Sequence, residues 1–280
     1  MGTENRLSFT TMSTPDWSGR QAIEGARHYG YDGVDLRVHA NRGEITLEAS
    51  EAEIAELRGI AEAEGVALPS LLAYNAVAGV HNSNWLDMRD SILRHVDLAH
   101  ALGAGAVRLF LGSPETSGEG PAYADRTAEL LSGIMPTCQQ AGVTLFVQNH
   151  GRWASLAECF EMVGKVDHLR MKIGFSPEHV FSARQEVSSL LREQGRHVAI
   201  FYIADARRKD PEEGLEELLP GEGDIPLKEH FADLQASGPF SGWLTFKYEK
   251  IWVPELEEPE VSLPRALAFM RAFLAEQAGA

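Results

Sequence analysis

The chain has 280 residues, 44% of them apolar and 24% charged, an ordinary globular make-up with enough length to bury one large core. Its 41 acidic and 25 basic residues leave a net charge of -16, which repels polyanions and excludes a general role on nucleic acid or an anionic membrane. No apolar run approaches membrane-spanning length, and Met1-Gly-Thr-Glu-Asn-Arg6 carries no apolar core and breaks the myristoylation pattern at Arg6, so neither a secretory leader nor a lipid anchor is expected. Cys138 and Cys159 lack metal-type spacing, so buried free thiols and a cytoplasmic location are expected.

In chain order, residues 7–11 alternate as a strand, and Thr14-Pro15-Asp16 opens a helix that runs to Tyr29. Gly30-Tyr-Asp-Gly33 ends it and starts a strand at 34–37. Ser50 with Glu53 forms a capping box for the next helix, which leads through Gly65 to an apolar strand at 66–73. A helix over 88–101 precedes a strand at 106–111, and a helix over 123–140 precedes a strand at 143–150. Ser155 caps a helix to Val166, followed by a strand at 169–175 and a helix over 180–193. A strand from His197, a helix carrying Ile225, Leu227, Phe231 and Leu234, a strand from Trp243 and a helix over 263–277 complete the chain. Eight strand-helix units at roughly 30 to 40 residues each predict an α/β (β/α)8 TIM barrel, one domain over residues 1–280. No strand precedes a Gly-x-Gly-x-x-Gly turn, and the segment from Gly112 to Gly120 lacks the Lys-Ser/Thr of a P-loop, so no nucleotide cofactor is expected.

The predicted strands end in polar residues that a buried strand does not need for packing. They are Asp35 and Arg37, Tyr74 and Asn75, Arg108, Gln148 with Asn149 and His150, Ser176 with Glu178 and His179, Tyr202 with Asp205 and Arg207, and Lys247 with Glu249. A barrel gathers its strand C-termini into one pocket, which makes this set the candidate site. Trp85, Trp153 and Trp252 fall in loops where they can wall a ring-shaped ligand.

The motifs Gly30-Tyr-Asp-Gly-Val-Asp-Leu-Arg37, Gln148-Asn-His-Gly151, Ser176-Pro-Glu-His179, Tyr202-Ile-Ala-Asp205, Gly221-Glu-Gly-Asp224 and Lys247-Tyr-Glu249 appear in register over nearly the whole chain. In them the chain resembles the xylose isomerase-like family of sugar and sugar-phosphate isomerases and epimerases. The resemblance implies a small polyhydroxylated substrate and is compatible with a homodimer. It also implies a divalent cation, Mn²⁺, Mg²⁺, Zn²⁺ or Co²⁺, held by three carboxylates and an imidazole. At those four positions this sequence has Gln148, Ser176, Tyr202 and Lys247. Carboxylate charge is what holds such ions, so no metal cofactor is expected. Three carboxylates and a dication sum to about -1, whereas the replacements carry about +1, from Lys247. A lone ammonium can take over the cation's task of polarising a carbonyl or enolate oxygen.

The resulting expectation is metal-independent proton transfer next to a carbonyl. Tyr202, with a phenol pKa lowered by Lys247, or a histidine acts as base, Lys247 holds the enolate, and His150 and His179 supply a second proton-transfer group. Asp35, Arg37, Tyr74, Arg108, Gln148, Ser176, Asp205, Arg207, Glu249 and Trp252 complete a substrate-binding set. Two alternatives remain open. Lys247 with a lowered pKa would serve a Schiff-base lyase or aldolase, and a barrel without its metal would serve as a non-catalytic sugar-binding protein. Lys247 paired with Asp205 or Glu249 in a purely structural bridge is the plain alternative to both. Arg207, Arg208 and Lys209 can hold a phosphate, but Glu222 and Asp224 oppose one, which favours an unphosphorylated sugar or sugar acid. Arg37 and Arg108 are the candidates to clamp a carboxylate or hydroxyls.

Overall fold

A computed structural model describes residues 5–39, 43–77, 84–112, 122–151, 154–209 and 214–278. Eight parallel strands close into a barrel: β1 (Arg6–Thr10), β2 (Gly33–Val38), β3 (Leu71–Ala76), β4 (Ala106–Phe110), β5 (Thr144–Gln148), β6 (Met171–Phe175), β7 (Val198–Ile203) and β10 (Trp243–Phe246). β1 pairs with both β2 and β10, so the sheet has no free edge. The helices between them are α1 (Gly19–Tyr29), α2 (Glu51–Glu64), α3 (Trp85–Leu102), α4 (Ala122–Ala141), α5 (Leu156–Val166), α6 (Pro177–Ala183), α7 (Ser188–Gln194), α8 (Leu227–Ala236) and α9 (Pro259–Ala278). The predicted TIM barrel is therefore observed. No helix among the described residues is long and apolar enough to cross a membrane.

Helix starts follow local chemistry. Ser18, Ser50 and Ser155 each accept from the third helical N–H, while Gln21, Glu53 and Glu158 reach back to the cap, three complete capping boxes. The first helix thus begins after Ser18 rather than at Thr14-Pro15-Asp16. Three further predicted boundaries move. The third strand starts at Leu71 instead of 66, because Pro69 has no N–H for a ladder. The predicted 180–193 helix is two helices, broken where Arg184 turns left-handed at φ 53° and Gln185 N donates to Val180 O at 3.1 Å. After β7 the chain makes an unforeseen antiparallel hairpin of β8 (Asp205–Arg208) and β9 (Leu215–Leu218) over the barrel mouth.

Two apolar layers result. Leu, Val, Ile and Phe side chains fill the shell between strands and helices, while Ala106, Phe146, Ile200, Tyr202 and Trp243 plug the barrel's inside. Cys138 and Cys159 are buried free thiols, and burial pushes the Cys138 thiol up to about 11.

Candidate active site

The inward positions of the barrel strands turn polar toward their C-terminal ends. Arg108 lies two residues beyond Ala106 on β4, and Gln148 lies two beyond Phe146 on β5. Lys247 lies two beyond Thr245 at the end of β10, with all of these side chains buried. A strand repeats its direction every two residues, so each points into the mouth.

One hydrogen-bonded chain crosses the site. Arg108 Nη1 donates to Gln148 Oε1 at 3.3 Å, Gln148 Nε2 to Ser176 Oγ at 3.0 Å, and Ser176 Oγ to Glu178 Oε1 at 2.8 Å. Lys247 Nζ then donates to Glu178 Oε1 and, at 2.5 Å, to Glu249 Oε1. Asn149 fixes the turn by exchanging bonds with the backbone of Ser176, at 2.8 and 2.9 Å. The His150 and His179 rings lie 4.0 Å apart, and His179 Nε2 is 3.6 Å from Glu178 Oε1. A cavity of about 540 Å³ opens over this end, lined by Glu178, His179, Glu217, Lys247 and Glu249 among others.

Burial and charge sort the protons. Burial disfavours the Lys247 ammonium, but Glu178, Glu249 and Glu217 outweigh it and raise the amine's pKa. Burial likewise opposes ionisation of Glu178, yet Lys247, His179 and the bonds it accepts hold its carboxyl down at about 2. Lys247 keeps Glu249 low as well, against burial. Burial pushes Glu217 up to about 8, against Lys247 and with help from Glu249, whose backbone N–H donates to Glu217 Oε1 at 2.9 Å. Burial, then the neighbouring His179 and Lys247, push His150 down to about 3, and burial lowers His179. At neutral pH the site therefore holds an ammonium, two carboxylates, a protonated carboxyl and two neutral imidazoles.

Several sequence expectations change here. Burial, with Asp35, raises the Tyr202 phenol's pKa although Arg108 and Lys247 act to lower it. A phenol so held keeps its proton, which suits a hydrogen-bond donor rather than a base. The Lys247 amine is held protonated between two carboxylates, the opposite of what a Schiff-base nucleophile needs. Its bridge runs to Glu178 and Glu249, not to Asp205.

Arg37 is paired within the protein. Its Nη2 lies 2.5 Å from Glu44 Oε1, its Nε donates to the same oxygen at 3.1 Å, and the two side chains are 2% and 1% exposed. Asp205 is occupied too: Oδ2 accepts from Gly221 N at 2.8 Å and Gly223 N at 2.9 Å, and Oδ1 from Ala206 N at 2.9 Å and Ile225 N at 3.2 Å. It shapes the loop under the hairpin. Arg207 is exposed and donates to Glu222 O at 2.7 Å, Arg208 packs over the Phe181 ring, and Trp252 is 51% exposed. Trp85 packs on the outer core, and Trp153 and the Asn75 side chain lie outside the described residues.

Asp35 sits in the barrel, accepting from Ser8 Oγ at 2.8 Å and from Ser70 Oγ, and burial pushes its carboxyl up to about 7. Tyr74 meets the Arg108 guanidinium, 5.2 Å from its ring centroid. Glu178 stands in the candidate set without an assigned role, and Glu217 lies outside that set. Glu178 follows Pro177 at a helix start, a position where an acidic residue is unremarkable. Glu217 belongs to a hairpin strand, Leu-Glu-Glu-Leu, with no alternation to announce it.

The four positions where the family resemblance implies ion ligands do not suit a divalent cation. Gln148 and Ser176 spend their polar atoms on each other and on Arg108 and Glu178, Tyr202 keeps its proton, and Lys247 itself supplies the positive charge that Glu178 and Glu249 neutralise.

A closed parallel barrel with a cluster of buried titratable groups at its strand C-terminal ends is the class these observations define. The chain belongs to the xylose isomerase-like TIM barrel family, whose model matches residues 23–273. Its fold is similar to that of D-psicose 3-epimerase from Clostridium cellulolyticum H10, determined with D-tagatose (TM-score 0.76, 15% identity, 96% of this chain and 99% of that one). It is equally similar to the IolI protein with a bound zinc atom (TM-score 0.76, 15% identity, 97% and 98%). It also resembles a xylose isomerase-like TIM barrel/4-hydroxyphenylpyruvate dioxygenase fusion protein (TM-score 0.70, 17% identity), covered over 86% of this chain and 38% of that longer one. No curated protein matches the sequence.

Proposed function

We propose that the protein is a sugar isomerase- or epimerase-like enzyme that moves a proton at the carbon next to a carbonyl of a small polyhydroxylated compound, without a metal. The observation that carries this reading is the Lys247 ammonium bridged to Glu178 and Glu249 on a cavity that Glu217 also lines, where the ammonium lowers two of the carboxyl groups and burial raises the third. Such a split assigns acid and base. Glu249, half-buried on the cavity, takes the proton from carbon, and Glu217 gives its proton to the carbonyl oxygen, leaving a neutral enediol. Lys247 has three N–H bonds and spends two on Glu178 and Glu249, which leaves one for the substrate oxygen as charge develops. Isomerisation follows when Glu249 returns the proton to the former carbonyl carbon while Glu217, now a carboxylate, takes the proton of the neighbouring hydroxyl, whose carbon becomes the new carbonyl. Return from the opposite face is epimerisation and needs a protonated donor there; His179, which lines the same cavity, serves once it has taken the enediol's hydroxyl proton, with solvent exchange resetting Glu249 and Glu217. The family membership and the D-psicose 3-epimerase fold likeness support the substrate class.

The test is incorporation of deuterium from D₂O into a panel of ketoses and aldoses, with EDTA present. The expected outcome is exchange that survives the chelator and falls roughly 10²- to 10⁴-fold in Glu249→Gln. Exchange that disappears with EDTA and returns with Mn²⁺ would sink the metal-free part of the reading.

A further inference from the structure

Arg108 carries a charge that nothing in the described protein neutralises. Its side chain is 1% exposed. Nη1 donates to Gln148, but Nε and Nη2 have no hydrogen-bond partner among the described residues. The guanidinium lies 4.5 Å from the Phe110 ring centroid and 5.2 Å from that of Tyr74, and neither ring can accept as a carboxylate does. Every other buried cation of the site is paired: Arg37 with Glu44 and Lys247 with Glu178 and Glu249. Asp35 feels the Arg108 charge, but its oxygens are taken by Ser8 and Ser70. A second orphan faces the same interior. The Tyr202 hydroxyl, on β7 across the barrel, is fully buried and has no partner among the described residues.

A buried guanidinium edge with two open N–H groups is costly when empty, and it matches the two oxygens of a carboxylate. We propose that Arg108, with Tyr202 as an added donor, is a carboxylate-binding subsite and that the substrate is a sugar acid or related hydroxy-carbonyl acid. This rests on the proposed function and orients its substrate. The anionic end lies at Arg108, with the Gln148 and Ser176 side chains standing between it and Glu178, and the carbonyl end lies at Lys247. One open guanidinium edge suits a carboxylate better than a phosphate dianion, which usually recruits more than one cation.

The experiment is thermal melting and calorimetry with glycolate, D-glycerate, D-gluconate and D-glucuronate, against D-glucose, D-xylose and inorganic phosphate, on wild type, Arg108→Met and Arg108→Lys. Wild type is expected to bind at least one of the four acids roughly 10- to 100-fold more tightly than the neutral sugars. Arg108→Met loses that preference, Arg108→Lys keeps part of it, and ligand-free Arg108→Met melts at or above the wild-type temperature because an unpaired buried charge is gone. The inference is overturned by a wild type indifferent to all four acids, by phosphate as the preferred anion, by acid binding unchanged in Arg108→Met, or by a lower melting temperature in that variant. These readouts involve no turnover. Deuterium exchange into neutral sugars alone would therefore keep the proposed function and remove this subsite, while acid binding without any exchange would do the reverse.

Discussion

Lys247 at the end of β10 and Glu178 at the start of α6 form an ion pair across the barrel mouth, with side chains 3% and 13% exposed. The pair joins the last strand to the loop after β6, and Glu249 completes it as a second carboxylate on the same ammonium. Removing one member of a buried pair strands the other's charge, which typically costs about 3–5 kcal/mol. Lys247→Met is therefore expected to lower stability by about 3 kcal/mol in urea unfolding. A lone ammonium, as the sequence suggested, would carry no such stability cost; the two carboxylates bound to it do. Adding Glu178→Gln and Glu249→Gln to Lys247→Met should restore most of the loss. A single variant as stable as wild type would show that the three groups are not coupled.

Glu217 sets an alkaline limit. Its unfolded carboxyl titrates near 4.5 and its folded one at about 8. Between those values the folded protein keeps a proton that the unfolded chain has released, so stability falls as pH rises through that window. Activity follows the same group, since a proton donor is lost as pH climbs through 8. Glu217→Gln should flatten the decline in melting temperature from pH 5 to 8 and remove the alkaline limb of the rate profile, at a lower maximal rate. An unchanged limb in that variant would assign it to another group.

The barrel was legible because its signals are local and repeated: a serine cap, an amphipathic helix, a glycine, an apolar strand. Strand-end residues were legible as a set, but their roles were not. Arg37 and Arg108 look alike in sequence, and what separates them is Glu44, delivered from a loop to Arg37, while no carboxylate among the described residues reaches the open edge of Arg108. Asp205 likewise reads as a site residue until the backbone of the Gly221 to Ile225 loop arrives on it. Lys247 was visible as a cation that lowers the Tyr202 pKa, as it does, but the burial that outweighs it is a property of the closed barrel. Partners brought by loops of other strand units decide the first two cases, and no spacing rule encodes them.

Asp205 accordingly has a structural phenotype. Four backbone N–H groups lose their acceptor in Asp205→Ala, and burying unsatisfied donors costs on the order of 1–3 kcal/mol each where no water replaces the bond. Partial hydration should bring the total to about 2–4 kcal/mol, with Asp205→Asn intermediate because it retains one oxygen. Ligand affinity per folded molecule should not move. An affinity loss at wild-type stability would return Asp205 to the substrate-binding set.

Gly174 on β6 makes room for the inner layer that carries Tyr202. A methyl group there would lie 2.7 Å from two atoms of the Phe146 ring and 3.2 Å from Tyr202 Cε2. Both rings sit inside a filled barrel, where overpacking typically costs about 1–3 kcal/mol. Gly174→Ala should destabilise by that order and displace the Tyr202 phenol, weakening substrate binding more than proton transfer. Phe146→Leu leaves a void of its own, yet combined with Gly174→Ala it should recover part of the stability, because the new methyl group enters the vacated space. Urea unfolding of the four proteins in the cycle reads the coupling directly. Strict additivity of the two changes would mean that the methyl group and the Phe146 ring never meet, and that the inner layer relaxes away from Gly174 instead.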